Sequence, residues 1–162
     1  MSTLTKPLAL LSLILAGALF GFFYAWVCST MWGLDAADPR VAIEAMQAMN
    51  ASVRNAVFAP AFFGTSVVLL LTTLALRADD QTGTALWFGA ATVLIAFLGV
   101  LLTMAINVPM NEALAEISVP DDIDAARAIW QDYSPKWQFW NQMRTLATGV
   151  AVLCTGIGLL KM

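Results

Sequence analysis

The residues in this sequence that are best suited to chemistry are amides and an arginine placed within apolar segments. In the segment NVPMN, Asn107 and Asn111 lie four residues apart on either side of Pro109, at the end of an uncharged run that begins at Gln81. A proline cannot donate a backbone hydrogen bond, and it leaves a carbonyl one turn earlier without its helical partner. Inside lipid such a carbonyl needs another partner. The two asparagines are therefore either caps at a helix end or one side of a polar pocket at the membrane interface.

The segment KWQFWNQMRTLATG favours the pocket. Its aromatic and polar residues recur at positions i, i+3, i+4, i+7 and i+11, which places them within about 120° of one helix face. Arg144 lies about two turns inside this segment, and a charge within a membrane is costly and marks a candidate functional site. The alternative is an arginine that extends to the interface beside a belt of tryptophans. The residues of this face are Trp137, Trp140, Asn141, Arg144 and Thr148.

A third set of polar residues follows one face of a helix predicted in the first long loop. The sequence DPR at 38–40 is typical of an N-cap followed by a proline at the first helical position. Gln47, Asn50 and Arg54 then lie within about 60° of one another. One interpretation is a helix at the interface with its polar face in water. The other is that these residues join the asparagines and Arg144 in one amphipathic cavity, since all belong to the same membrane side.

The charge of Arg144 requires a partner. Glu112 and Glu116 in the third loop are the nearest acidic candidates. An anionic ligand is the other candidate, because a buried charge is stabilised only when it is paired or hydrogen-bonded.

The elements that must position these residues are membrane helices. Of 162 residues, 60% are hydrophobic and only 12% are charged, against about 25% charged residues in a soluble domain. Four runs approach the roughly 20 apolar residues that a spanning helix needs. We therefore predict an all-α integral membrane four-helix bundle, a single domain over 1–162, with amphipathic helices in the two long loops. The predicted spans are about 8–29, 55–76, 84–108 and 137–160.

The ends of these segments carry further predictions. The first run continues too far for a cleaved signal core, so we expect a retained helix. The helical spacing predicts loop helices at 38–54 and 121–133. Ser134-Pro135 should end the second of these, so that the last span begins near Lys136.

Small residues recur every four positions in the first span, at Gly17, Gly21, Ala25 and Ser29. This pattern predicts a face that another helix can approach closely. The alternative is that small residues are simply common in such helices. A homo-oligomer is a possible use of this face.

The composition bears on cofactors. The sequence has no histidine, no CxxC pair and no glycine-rich phosphate-binding loop. Imidazole-ligated haem and histidine-bound zinc, copper or non-haem iron are therefore excluded, and thiol redox chemistry is disfavoured. We expect no metal, haem or flavin, and no nucleic-acid partner.

Membrane orientation depends on the basic residues. Lys6, Arg77 and Lys161 lie on the side of the termini, and the remaining basic residues lie on the side of the long loops. The larger number of Lys and Arg residues favours the long loops as the cytoplasmic side. Arg54 and Arg144 have candidate functional roles, however, and their inclusion weakens this argument for orientation. We expect a multi-pass protein of a bacterial inner membrane with both termini in the cytoplasm.

Three segments together resemble the anthrone oxygenase family, a group of small four-helix membrane proteins. They are AIEAMQAMN, NVPMN and WNQMR, in this order before the last span, and the likeness extends over nearly the whole chain. The residues that carry it are Gln47, Asn50, Asn107, Pro109, Asn111, Trp140, Asn141 and Arg144.

The resemblance implies oxygenation of a flat polycyclic phenol, an anthrone, to a quinone without metal or flavin. Such an enzyme would stabilise an enolate and exclude water. Tryptophans could stack on the rings, and Glu112 or Glu116 could act as the base. On this hypothesis the catalytic residues are Arg144, Asn107, Asn111 and Asn141, and the substrate-binding residues are Gln47, Asn50, Arg54, Trp137 and Trp140.

A second function class stays open. The chain could be a non-enzymatic membrane protein that binds a lipid or a quinone, or a subunit that packs through its glycine face. Small molecules found bound to the purified protein would discriminate between these classes.

Overall fold

The structure is a computed structural model that describes residues 3–162. Over these residues the chain forms five continuous helices and no strand. The four longest are long and apolar enough to cross a membrane, and the remaining one lies in the first long loop. The helices are α1 (Thr5–Ala36), α2 (Pro39–Ser52), α3 (Phe58–Ala78), α4 (Thr82–Ala115) and α5 (Ile123–Leu160).

The four long helices form the predicted bundle. Helix α1 packs against α3 and α5, and α4 packs against the same two helices, so α1 and α4 stand opposite each other. The interior contains a cluster of buried apolar residues that includes Phe23, Leu69 and Phe88. Large apolar side chains such as Ile14, Leu86 and Leu153 cover the outer surface. A bundle that is apolar on both its inner and outer faces is the arrangement expected in lipid.

Close helix contacts occur at glycines other than the predicted ones. A Cβ atom built on Gly17 or Gly21 would have no neighbour within 4 Å. At these two glycines, no helix within residues 3–162 makes the predicted close approach. A Cβ on Gly149 would instead lie 3.0 Å from the ring of Phe20, and one on Gly158 would lie 2.6 Å from a ring atom of Phe88. The tight contacts lie on α5.

Helix α4 departs from regular α-helical geometry before NVPMN. Leu94–Leu101 and Thr103–Asn107 are π-helical, and the α-helical geometry resumes at Val108–Ala115. Pro109 comes two residues after the π-helical geometry ends and lies inside the continuous helix. The helix thus continues through NVPMN, and the interpretation of the asparagines as caps at a helix end is wrong.

The predicted helix break at Ser134-Pro135 is also wrong, because α5 is continuous through Pro135. The carboxylate of Asp35 accepts hydrogen bonds from Trp130 Nε1 at 2.9 Å, Ser134 Oγ at 2.7 Å and Gln138 Nε2 at 2.9 Å. These donors lie on both sides of the proline. They hold two turns of the helix in register and offset the backbone hydrogen bond that Pro135 cannot make.

Helix α2 lies across the long-loop end of the bundle. Asp38 caps it by accepting hydrogen bonds from the backbone and side chain of Arg40, and these bonds lower the pKa of Asp38 to about 2. Ile43 and Met46 of α2 are buried in a second apolar cluster formed with residues of α4 and α5. Gln47 Nε2 donates to the carbonyls of 114 and 117 at 2.8 and 2.9 Å. This amide thus donates hydrogen bonds to backbone carbonyls at the C-terminal end of α4.

Candidate functional site

A cavity of about 1090 Å³ lies at the long-loop end of the bundle. Residues of α1, α3, α4 and α5 line it, together with the end of α2 and the connection to α3. Most of the lining is apolar, and its charged residues are Arg54, Glu112 and Arg144. A large apolar cavity with a few polar groups is the usual form of a small-molecule site.

Arg144 is the central charged group of this cavity. Its side chain is only 5% exposed, and its guanidinium lies 4.4 Å from the ring centroid of Phe23 and 5.1 Å from that of Trp137. Nε donates to Asn141 Oδ1 at 2.9 Å, and Nη1 donates to Thr103 Oγ1 at 3.1 Å. Among residues 3–162 it has no acidic partner within ion-pair distance. A positive charge is thus held between two aromatic rings with neutral partners only.

Asn111 organises the polar groups next to Arg144. Its Oδ1 accepts from Tyr133 Oη and from Trp137 Nε1, both at 2.8 Å. Its Nδ2 donates to Asn50 Oδ1 at 3.0 Å. The Nδ2 of Asn50 is buried and has no partner among the described residues. Asn50 lines the cavity, but this donor has almost no exposed surface and lies within the lining.

Asn107 and Asn141 lie behind the cavity lining. Asn107 is fully buried and donates to the carbonyl of Trp137 at 3.5 Å, while its Oδ1 has no partner in the described part of the chain. Asn141 donates to the carbonyl of Phe23 at 3.2 Å and accepts from Arg144. Both amides connect α5 to a neighbouring helix, and Asn141 also holds Arg144 in position.

An ion pair lies where α2 and α4 border the cavity. Arg54 and Glu112 form it at 3.2 Å, and both side chains are more than half exposed. Glu112 therefore pairs with Arg54 and not with Arg144, which corrects one of the two partners expected for Arg144. Glu116 is exposed at the end of α4, does not line the cavity and makes no ion pair within residues 3–162. Of the two acids, only Glu112 could reach a ligand.

The structure places some predicted site residues around the cavity and others elsewhere. Gln47 contacts the end of α4, and Trp140 stacks edge-on against Phe139. Neither lines the cavity, and neither do Asn107 and Asn141. Those that line it are Arg144, Asn111, Asn50, Arg54 and Trp137.

Several contacts of the site escaped the sequence analysis. Thr103 precedes Asn107 and Asn111 by four and eight residues, so the same helical spacing could have identified it. Tyr133 precedes Trp137 by four residues and could have been found in the same way. Phe23 lies in a uniformly apolar run, and nothing in its spacing distinguishes it from its neighbours.

Metal-ligand geometry is not found in this site. Within residues 3–162, no group of three or more histidine, cysteine, aspartate or glutamate side chains comes together to hold a metal ion. The charges available to a ligand in the cavity are those of Arg144 and of the pair at its border.

The comparisons with known proteins agree with the resemblance seen in the motifs. A family model described as anthrone oxygenase matches residues 46–154, about two thirds of the chain. The chain belongs to the anthrone oxygenase family. Neither the comparison with curated proteins nor that with solved structures gave a match. The segment matched to the anthrone oxygenase family includes Asn50, Asn111 and Arg144, but it begins after α1. The Phe23 side of the cavity therefore lies outside the match.

Proposed function

We propose that the protein is a cofactor-independent oxygenase that converts a flat phenolic compound of the anthrone type to a quinone. The observation that carries this proposal is the buried cation of Arg144, held against Phe23 and Trp137 with no acidic partner among residues 3–162. Such a group stabilises negative charge that develops on a bound substrate, and it does so most effectively away from water.

The proposed reaction consumes one molecule of O2. Loss of a proton from the CH2 group of the anthrone gives an enolate, whose oxygen is stabilised by Arg144. The carbanionic carbon adds O2 to form a C–O bond, and the resulting peroxide takes up a proton. Loss of water then leaves a second carbonyl. One oxygen atom of O2 enters the quinone, the other leaves as water, and the substrate supplies all the electrons.

Two aromatic side chains support a flat substrate. Trp137 is only 2% exposed and its indole N–H is used by Asn111, so its ring orientation is fixed. Trp26 packs against Trp137 with ring centroids 5.0 Å apart, and both line the cavity. A polycyclic substrate gains stacking energy from such rings, about 1 kcal/mol for each pair beyond simple burial.

Glu112 is the proposed base. It lines the cavity, and its carboxylate is the one acidic group among the lining residues that could accept a proton. Asn50 lines the same side of the cavity, and rotation of its side chain would let the buried Nδ2 donate to a substrate oxygen.

The experiment is turnover of a panel of hydroxylated anthrones by the protein in detergent, followed by quinone absorbance and O2 uptake. Spontaneous oxidation is subtracted with protein-free detergent. We expect turnover above this background, and a decrease of about 100-fold or more in Arg144→Leu. Arg127→Leu is the control, because Arg127 is exposed and pairs with Asp124 on the surface. Quinone formation no faster than the background would contradict the proposal. Bound quinone or lipid without turnover would identify a non-enzymatic binding protein.

We also propose that the protein is a multi-pass protein of a bacterial inner membrane with cytoplasmic termini. Four helices long enough to cross place both termini on one side. A fluorescent protein fused after Met162 should then fluoresce, whereas alkaline phosphatase fused there should be inactive. The opposite result would place the cavity on the cytoplasmic side.

A further inference from the structure

We propose that the ligand of this cavity is an anionic amphiphile that enters sideways from the bilayer, through an opening between α3 and α4. The inference uses the cavity of the proposed function but does not depend on oxygen chemistry. A binding measurement therefore tests this inference, whereas a turnover measurement tests the proposed function.

The first observation is the packing of α3 and α4. Helix α3 packs along the first part of α4, at Thr82–Val93 and Leu94–Leu101. Toward the long-loop end, the next stretch of α4, Thr103–Asn107, packs against α5 instead. The two helices thus contact each other mainly near the short loop, whereas toward the cavity α4 is joined to α5 through the hydrogen bond from Arg144 to Thr103.

The second observation is the exposure of the residues at this separation. Phe63 of α3 and Met104 of α4 both line the cavity, yet they are 50% and 45% exposed. They lie within segments apolar enough to cross a membrane, where exposed surface that does not face the cavity would contact lipid. A side chain that contacts both the cavity and the lipid lies at a boundary between them. No charged residue lies among the lining residues of α3.

The third observation identifies the ligand class. The path from Phe63 and Met104 leads to Arg144, which has no acidic partner among the described residues. Its Nη2 donates to no residue within 3–162. An apolar body is favoured along the path, and a carboxylate or phenolate oxygen is favoured at its inner end. The charged border at Arg54 and Glu112 lies on the aqueous side and offers no such apolar path.

The test measures binding of anthracene-9-carboxylate to the full chain in phosphatidylcholine nanodiscs. The probe is excited directly, so that added tryptophans do not contribute to the fluorescence anisotropy, and empty nanodiscs give the background from partitioning. Met104→Trp and Phe63→Trp narrow the proposed opening. Leu101→Trp and Leu70→Trp are matched controls, because these leucines are about as exposed on the same helices but do not line the cavity.

We expect Met104→Trp and Phe63→Trp to slow association of the probe about tenfold or more, while the controls stay within about twofold of the unmodified protein. Arg144→Leu should weaken binding of the anion by about tenfold or more but leave binding of neutral anthracene little changed. Equal association rates in the narrowed and control variants would overturn the lateral route. Association that instead accelerates in an Arg54→Ala, Glu112→Ala variant would place the entrance on the aqueous side. Equal loss of anthracene and its carboxylate in Arg144→Leu would overturn the anionic ligand.

Discussion

Arg144 Nη1 donates a hydrogen bond of 3.1 Å to Thr103 Oγ1, which joins the cation of α5 to the π-helical part of α4. The hydroxyl hydrogen of Thr103 is already used, because Oγ1 donates to the carbonyl of Gly99 at 2.6 Å. Its lone pairs therefore face the guanidinium. One hydroxyl thus satisfies a carbonyl of α4 and orients the only cation buried in the described part of the bundle.

Thr103→Val removes this hydroxyl while keeping the shape of the side chain. A hydrogen bond to a charged group contributes about 1.5–3 kcal/mol, so we expect a lower melting temperature in detergent and weaker binding of an anionic ligand. Thr103→Ser keeps the hydroxyl and should restore most of both properties. Equal melting temperatures for the valine variant and the unmodified protein would show that the contact is not formed.

Asp35→Ala should destabilise the protein because it removes the acceptor of three side-chain donors on α5. We expect a loss of roughly 2 kcal/mol or more, measured by thermal unfolding. Asp132→Ala is the control, since its exposed i,i+4 pair with Lys136 contributes about 0.3–0.5 kcal/mol. If Asp35 offsets the proline, Asp35→Ala should cost less stability in a Pro135→Ala background than in the unmodified protein. Additive changes in the free energy of unfolding would show that the two residues act independently.

Gly158→Ala and Gly156→Ala form a matched pair on α5. A Cβ at Gly158 would lie 2.6 Å from a ring atom of the fully buried Phe88, so we expect a loss of about 1–3 kcal/mol. A Cβ at Gly156 would meet nothing within 4 Å, and alanine should be neutral or stabilise the helix by up to about 1 kcal/mol. Melting temperatures that shift in the same direction would contradict this packing.

Asn111→Ala and Asn107→Ala should affect different properties of the protein. Asn111 lines the cavity and accepts from Tyr133 and Trp137, so its loss leaves two donors unpaired and should weaken both ligand binding and stability. Asn107 makes one long hydrogen bond behind the cavity, so its loss should change stability with little effect on ligand affinity. Binding by calorimetry and melting temperatures distinguish the two. A larger affinity loss in Asn107→Ala would reverse the assignment.

The sequence predicted what depends on local pattern. Uncharged runs indicated the four long helices, because lipid admits few charges, and helical spacing placed Arg144 and Trp137 on one face. The continuity of α5 at Pro135 was not predictable, because the residue responsible, Asp35, is about 100 positions away along the chain. The spacing of Asn107 and Asn111 also did not predict their different surroundings. Four residues apart in α-helical geometry, they share a face, yet Asn111 lines the cavity while Asn107 is buried one turn away against the backbone of Trp137.

The π-helical stretches of α4 make the site sensitive to where in the helix the chain changes length. A π-helical turn holds more residues than an α-helical one, so deletion of one residue within Leu94–Leu101 can be absorbed by reversion to regular helix. The residues beyond that deletion would keep their orientation, and Asn111 would still contact Tyr133 and Trp137. The α-helical stretch Thr82–Val93 has no extra residue to lose, so a deletion there would rotate every residue beyond it by about 100° about the helix axis relative to the residues before it. One deletion would thus preserve the chemistry of the cavity and the other would change it, although neither substitutes a residue that lines it.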